Sequence, residues 1–178
     1  MSDVRSDPAP EVRALDTVAE LMCLAARTAP KARGVDNLHI EVFRGEAKAA
    51  VTKKMRQVAQ ADGVGFFARD ADNCDAAPLV VLVGTEVQPL GVPHCGFCGF
   101  GDCKGCADAG ALCAYNAGDL GIALGSAAAV AAAHHADNRM MFSFGRSAIE
   151  AGLLPPEVKL AVGLPLSATG KSPFFDRK

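Results

Sequence analysis

The chain has 178 residues, half of them apolar, and its 18 Lys and Arg against 20 Asp and Glu give a formal charge of −2. That length and apolar content suit one domain with a real core and exclude a disordered chain. The charge excludes a nucleic-acid surface, which needs clustered Lys and Arg, and no polybasic block stands ready for a membrane face.

In chain order, residues 1–10 read as a flexible lead, and 11–178 as a single α/β domain that includes a Cys-rich loop at 93–115. The opening "MSDVRSDPAPEVR" carries both charge signs and no apolar core, unlike a signal peptide. Over 11–29, Val12, Leu15, Val18, Ala19, Met22 and Ala26 recur at helical spacing until Pro30 and Gly34 break the pattern. "LHIEVF" (38–43) alternates as a half-buried strand does, and 46–61 reads as a helix with Val51, Met55, Val58 and Ala59 on one face. "PLVVLVG" (78–84) is a continuous apolar run of strand length, suggesting a central strand buried on both faces.

After the cysteines, 119–135 reads as an alanine-rich helix capped by Asp119 and closed by His134 and His135. Gly121, Gly125, Ala128 and Ala132 line one edge of it, for which tight packing is the expected use. The longest uncharged run, 120–136, reads as too short and too weakly apolar to span a bilayer. "RMMFSF" (139–144) and "LAVGLPL" (160–166) read as strands around a short helix near 146–152, followed by an irregular tail. Helices and strands in mixed order imply an α+β fold of mixed α/β layers in a cytoplasmic protein, with no nucleic acid and no membrane among its partners.

Five of the seven cysteines fall at Cys95-x2-Cys98-x4-Cys103-x2-Cys106-x6-Cys113. An odd count in a reducing compartment argues against disulfides. Burial as small hydrophobes suits Cys23 and Cys74 but not thiols set among Gly96, Gly99, Gly101, Gly105 and Gly110. A metal site remains. Zinc knuckles are commonly about 15–20 residues apart, so that the chain can fold back on one ion. Here only four residues separate the two CxxC pairs. An iron–sulfur cluster is a larger body that a glycine-rich loop can wrap, with backbone amides facing its sulfides. Phe97 and Phe100 are expected to form an apolar lid over it. Four thiolates suffice, and spacing leaves Cys106 and Cys113 as rivals for the fourth position.

The stretches "AARTAPKARGVDNL" (25–38), "CGFCGFGDC" (95–103), "CAYNAGDLGIALGSA" (113–127), "DNRMMFSFG" (137–145) and "GLPLSATGKSPFFDR" (163–177) resemble an uncharacterised bacterial and archaeal family of ferredoxin-domain-containing proteins. That resemblance implies Cys95, Cys98, Cys103 and Cys113 as ligands of one [4Fe-4S] cluster, with Cys106 an addition. The layout is also similar to the flavin-dependent nitroreductase fold, which implies a sheet flanked by helices with the Cys-rich loop inserted, a homodimer, and FMN at the subunit interface. Arg27, Lys31 and Arg33 after the first helix, with Lys171 and Arg177 in the tail, are then candidates to grip a flavin phosphate.

Other chemistry finds no support. "ATGKS" (168–172) imitates the end of a phosphate loop, but the required first glycine falls on Pro165 and Pro173 follows. No Ser–His–Asp grouping or HExxH pattern is visible, and Asp119, Asp137 and Asp176 read as caps or ion-pair partners. The expectation is electron transfer, or flavin-linked oxidoreduction of a substrate and with a redox partner the sequence does not name. A zinc-stapled module without redox activity is the alternative.

Overall fold

The computed structural model describes residues 9–175. Most of the expected lead, together with Asp176 and Arg177, lies outside the described residues.

Helix α1 (Pro10–Thr28) has Pro10 in its first turn, with Glu11 and Arg27 at the dipole ends that suit their charges, and buries Leu15, Val18, Ala19, Met22 and Ala26. It stops where Ala29 turns extended before Pro30. A 3-10 turn (Ala32–Gly34) leads to strand β1 (Leu38–Phe43) and helix α2 (Gly45–Asp62), which ends on a left-handed Gly63. Helix α3 (Gly65–Ala76) was not expected; it precedes strand β2 (Leu79–Glu86). Then come the cysteine loop with its short helix α4 (Cys103–Asp108), the long helix α5 (Ala114–Ala133), a two-residue strand β3 (Asp137–Asn138), helix α6 (Phe142–Glu150) and strand β4 (Val158–Ser167).

The sheet order is β1-β2-β4-β3, and every pairing is antiparallel. At one end Leu38 faces Thr85, which faces Leu160; at the other Phe43 faces Val80 and Leu79 faces Leu166. The pleat of β2 sends Leu79, Val81 and Val83 to a core shared with α1 and α5, and Val80 and Leu82 to a second core under α2, α3 and α6. β2 is the central strand buried on both faces, in a helix–sheet–helix sandwich. On the second face α6 comes close to β4: a Cβ on Gly145 would lie 1.9 Å from the Ala161 carbonyl oxygen.

Three expectations are corrected. Residues 139–144 are not a strand: Met141 makes one bridge to Gly163, and helix begins at Phe142. Helical spacing there seats Phe144 over Gly163 and lets the Ser143 hydroxyl donate to buried Asp70 at 2.7 Å. Secondly, α5 starts five residues before Asp119. At 20 residues it is long and apolar enough to cross a bilayer by length and composition alone. Its buried Leu120, Ala123, Leu124, Ala127 and Ala131 lie in the core shared with α1 and the sheet. Thirdly, the small-residue edge is packed only in part: Ala128 rests on the first core, but Gly121, Gly125 and Ala132 are exposed, and nothing lies within 4 Å of a Cβ on either glycine.

Candidate metal centre

The cysteine loop leaves β2 at the sheet end where β1 begins. Three ties fix its first turn. The Gln88 N–H donates to Asn116 Oδ1 at 3.0 Å, and the Arg33 guanidinium donates to the carbonyls of Leu90 at 2.6 Å and Gly91 at 3.2 Å. Arg33 holds a left-handed backbone (φ 57°) to reach them. His94 and Gly96, on either side of Cys95, are also left-handed, with φ of 54° and 64°, and turn that thiol along the rim.

α4 carries two of the thiols. Asp102 caps it by accepting the Gly105 N–H at 2.7 Å, and Cys103 and Cys106 are one turn apart. Cys106 is 1% exposed; its Sγ–H donates to the Ala111 carbonyl at 3.5 Å, and the Ala111 N–H returns a bond to the Cys106 carbonyl at 3.0 Å. Cys113 is also buried and is the N-cap of α5, so the positive end of a 20-residue helix stands beside its sulfur.

All five thiols line one cavity of about 310 Å³, with Leu90, Pro93 and Tyr115 among its apolar walls. Burial pushes the Cys106 thiol up from its ordinary value, as do a hydrogen bond with Cys98 and the nearby Cys98, Cys113 and Cys103 sulfurs. Among the described residues, no three His, Cys, Asp or Glu side chains close to the spacing of a single ion. Five thiols on one cavity wall are a donor set suited to a thiolate-held metal group. Asn116, 1% exposed and three residues into the chain from Cys113, leaves its Nδ2 without a hydrogen-bond partner among the described residues. An anionic sulfur-rich group near this helix start would offer acceptors to such a donor.

Beside this cavity runs a groove of about 440 Å³ lined by Pro30, Lys31, Ala32, Phe97 and Ile122, with Ala114 and Tyr115 forming a wall common to both. Phe97 is 74% exposed and pairs with the Tyr115 ring at 5.9 Å. The expected lid is therefore corrected: neither Phe97 nor Phe100 lines the cysteine cavity. Asp119, read as a cap, lies inside α5 and pins the groove's far wall, its two oxygens each accepting the Ala32 N–H at 3.1 Å.

Arg27, Lys31 and Arg33 gather at this sheet end, but with partners inside the chain. Arg27 donates to Asp36 at 2.7 Å and the Leu38 carbonyl at 2.8 Å; Lys31 donates to the carbonyls of Arg27 at 2.5 Å and Ala29 at 2.8 Å. Lys171 follows β4 at the opposite end of the sheet, so the structure does not bring it to the other three. Cys23 and Cys74 lie outside the site. Burial and the nearby Asp70 push the Cys74 thiol up to about 12, and its Sγ lies 3.6 Å from Met141 Sδ.

Solved structures of this shape share the fold at low identity. A BluB-like flavoprotein from Clostridium difficile 630 is 18% identical with a TM-score of 0.54, covering 94% of this chain and 87% of its own. The FMN-dependent nitroreductase NfnB from Mycobacterium smegmatis is 15% identical with a TM-score of 0.58, covering 93% and 81%. The fold is nitroreductase-like. In sequence, residues 109–177 match the family described as an uncharacterized protein containing a ferredoxin domain, a segment that holds Cys113 but begins after the other four thiols. An uncharacterized protein of Archaeoglobus fulgidus is 38% identical over 167 residues, 89% of each chain. By that identity over nearly the whole length, and by the match around Cys113 and α5, the chain belongs to the family of uncharacterized proteins containing a ferredoxin domain.

Proposed function

We propose that the chain is a cytoplasmic redox protein that holds one [4Fe-4S] cluster on its loop through Cys95, Cys98, Cys103 and Cys113. The observation that carries the reading is the convergence of five thiols on one cavity of about 310 Å³ at the start of α5. Only four residues separate the two CxxC pairs, whereas zinc knuckles are commonly about 15–20 residues apart. Bound there, a cluster supplies one-electron transfer at a potential set by charge, hydrogen bonds to sulfur and exposure. The chain contributes the thiolates, the helix start behind Cys113 and a largely apolar wall.

The groove that shares Ala114 and Tyr115 with the cavity supports a second cofactor. Neighbours of this fold include an FMN-dependent nitroreductase and a BluB-like flavoprotein. In this reading an FMN ring lies along Lys31–Ala32 and Tyr115, where it would exchange electrons with the cluster and an organic acceptor. Its phosphate falls to Arg27, Lys31 or Arg33 and displaces one of their internal bonds. A second copy of the chain covers the exposed face of α5 at Gly121, Ile122, Gly125 and Ala129, which carries no charged side chain.

The test is metal, sulfide and flavin content, with a visible spectrum, on protein purified without oxygen. About four iron and four sulfide per chain are expected, lost in Cys113→Ser. About one zinc and no sulfide would overturn the reading in favour of a structural staple. FMN that survives an Arg27→Ala, Lys31→Ala double change undiminished would move the phosphate elsewhere.

A further inference from the structure

The groove beside the cysteine cavity is floored by one face of α5, because Tyr115, Gly118, Asp119 and Ile122 recur at i, i+3, i+4 and i+7 and all four line it. Pro30, Phe97 and Ile122 give it apolar walls, and nothing lies within 4 Å of a Cβ on Gly118, so a flat body can approach the helix backbone there. Lys31 lines the groove too, but its Nζ donates to the carbonyls of Arg27 and Ala29. Asp119 is the one carboxylate on these walls. It is 8% exposed, and its one hydrogen-bond donor among the described residues is the Ala32 N–H, shared between its two oxygens at 3.1 Å each. No Lys, Arg or His among the described residues forms an ion pair with it. A carboxylate offers about four acceptor positions, so one shared N–H leaves most of them open. A buried acceptor in that state is costly until a donor meets it.

We infer that Asp119 is the specificity-determining acceptor of this groove and takes the edge N–H of a flat heteroaromatic ring lying against Tyr115 and Phe97. The walls select the faces of the ring. The exposed Phe97 ring is tilted 35° from Tyr115 with 5.9 Å between centroids, an aromatic surface that a flat apolar ring would cover. The carboxylate selects the edge. A ring carbonyl turned to Asp119 would set acceptor against acceptor, whereas an N–H supplies the donor that the side chain lacks. The flavin ring carries one such group, the imide N–H at N3. The inference therefore rests on the FMN reading of the groove and adds which edge of the ring faces α5.

One experiment separates the failure of the two readings. FMN and N3-methyl-FMN, in which a methyl group replaces that proton, are titrated into the native chain and into Asp119→Asn, with circular dichroism as the check on folding. Bound flavin is read from the quenching of its fluorescence, or from displacement where FMN already fills the site. The native chain should bind N3-methyl-FMN at least about tenfold more weakly than FMN, because the methylated ring leaves the buried carboxylate unmet. Asp119→Asn has a single acceptor oxygen, which the Ala32 N–H takes, so the two flavins should bind it about equally. A side chain that merely braced Ala32 would change both affinities together and leave their ratio alone. Equal binding of the two flavins by the native chain would overturn the inference, whether or not Asp119→Asn folds. An undiminished preference in folded Asp119→Asn would overturn it too, by assigning the cost of the methyl group to crowding elsewhere. A native chain that binds no FMN would overturn the FMN reading and this inference together.

Discussion

Arg33 offers the sharpest separation of two roles, because it is both strained and tied. Its backbone is left-handed at φ 57° and ψ 13°, a conformation that costs a side-chain-bearing residue roughly 1–2 kcal/mol relative to glycine. Its guanidinium holds the start of the cysteine loop through two charge-assisted bonds, at 2.6 Å to Leu90 and 3.2 Å to Gly91. Bonds to a charged donor are worth about 1.5–3 kcal/mol each when shielded. Arg33 is exposed, so the pair together is expected to contribute only about 1–2 kcal/mol. Arg33→Ala removes the bonds and keeps the strain, so it should destabilise the chain by about that amount. Arg33→Gly removes both. Relief of strain offsets the lost bonds, less about 0.4–1 kcal/mol for the freer unfolded chain, so it should lie roughly 0.5–1 kcal/mol above Arg33→Ala.

Urea unfolding at fixed metal content measures that order, and iron release to a chelator measures the loop. With the proposed cluster on the loop, both variants should release iron faster than the native chain, since both untie Leu90 and Gly91. If Arg33→Ala equals or exceeds Arg33→Gly in stability, the backbone argument is wrong. If neither variant changes iron release while FMN content falls, Arg33 serves a phosphate and not the loop.

Three more outcomes follow from particular contacts. Gly145→Ala should destabilise the chain by at least 1–3 kcal/mol, because the new methyl meets three backbone atoms of Ala161 and Val162 at 1.9–2.6 Å and none can yield cheaply; thermal unfolding checks it. For Asp36, burial raises the carboxyl's pKa, but hydrogen bonds from Arg27 and the Leu38 N–H outweigh it and hold the group below its ordinary 3.8. A depressed carboxyl stabilises above its unfolded value and loses that contribution as pH falls through the folded one. Asp36→Asn should therefore be less stable than native at neutral pH, with the gap closing below pH 3.8; a constant gap from pH 7 to pH 3 would refute the assignment. Ala129→Glu puts a carboxylate on the exposed face of α5; if the proposed dimer forms there, the variant should sediment as a monomer with the circular dichroism of the native chain.

The parts of the fold legible in the sequence are those where one physical signal dominates. The stripe of α1, the alternation of β1 and the unbroken apolar run of β2 are such signals, and each lies within two residues of where it was expected. α3 was missed although Phe67, Ala71 and Cys74 follow helical spacing. The remaining buried position on that face is Asp70, a carboxylate made tolerable by Ser143 and by Arg69 and Arg139 nearby, and no local pattern announces those partners. The same long-range bond explains the error at 139–144. Ser143 is polar by type and buried by contact, so a helix read as a strand.

At the site, spacing located the thiols but not their inequality. Short intervals between Cys95 and Cys113 force them to one place whatever the fold, which is why the loop is legible without a structure. What spacing cannot express is that α5 begins at Ala114 and not at Asp119, so that Cys113 ends the loop and caps the helix at once. Nor does it show that Asp119 faces inward to Ala32, which pins the far wall of the neighbouring groove. The thiols on the cavity are accordingly unequal: Cys106 and Cys113 are buried, while Cys95, Cys98 and Cys103 are half-exposed. The proposed anionic group would stand beside the N-terminus of α5 at Cys113 and stay reachable past the half-exposed thiols. The proposed redox centre would then lie at a surface, with Tyr115 and Phe97 lining the groove beside it.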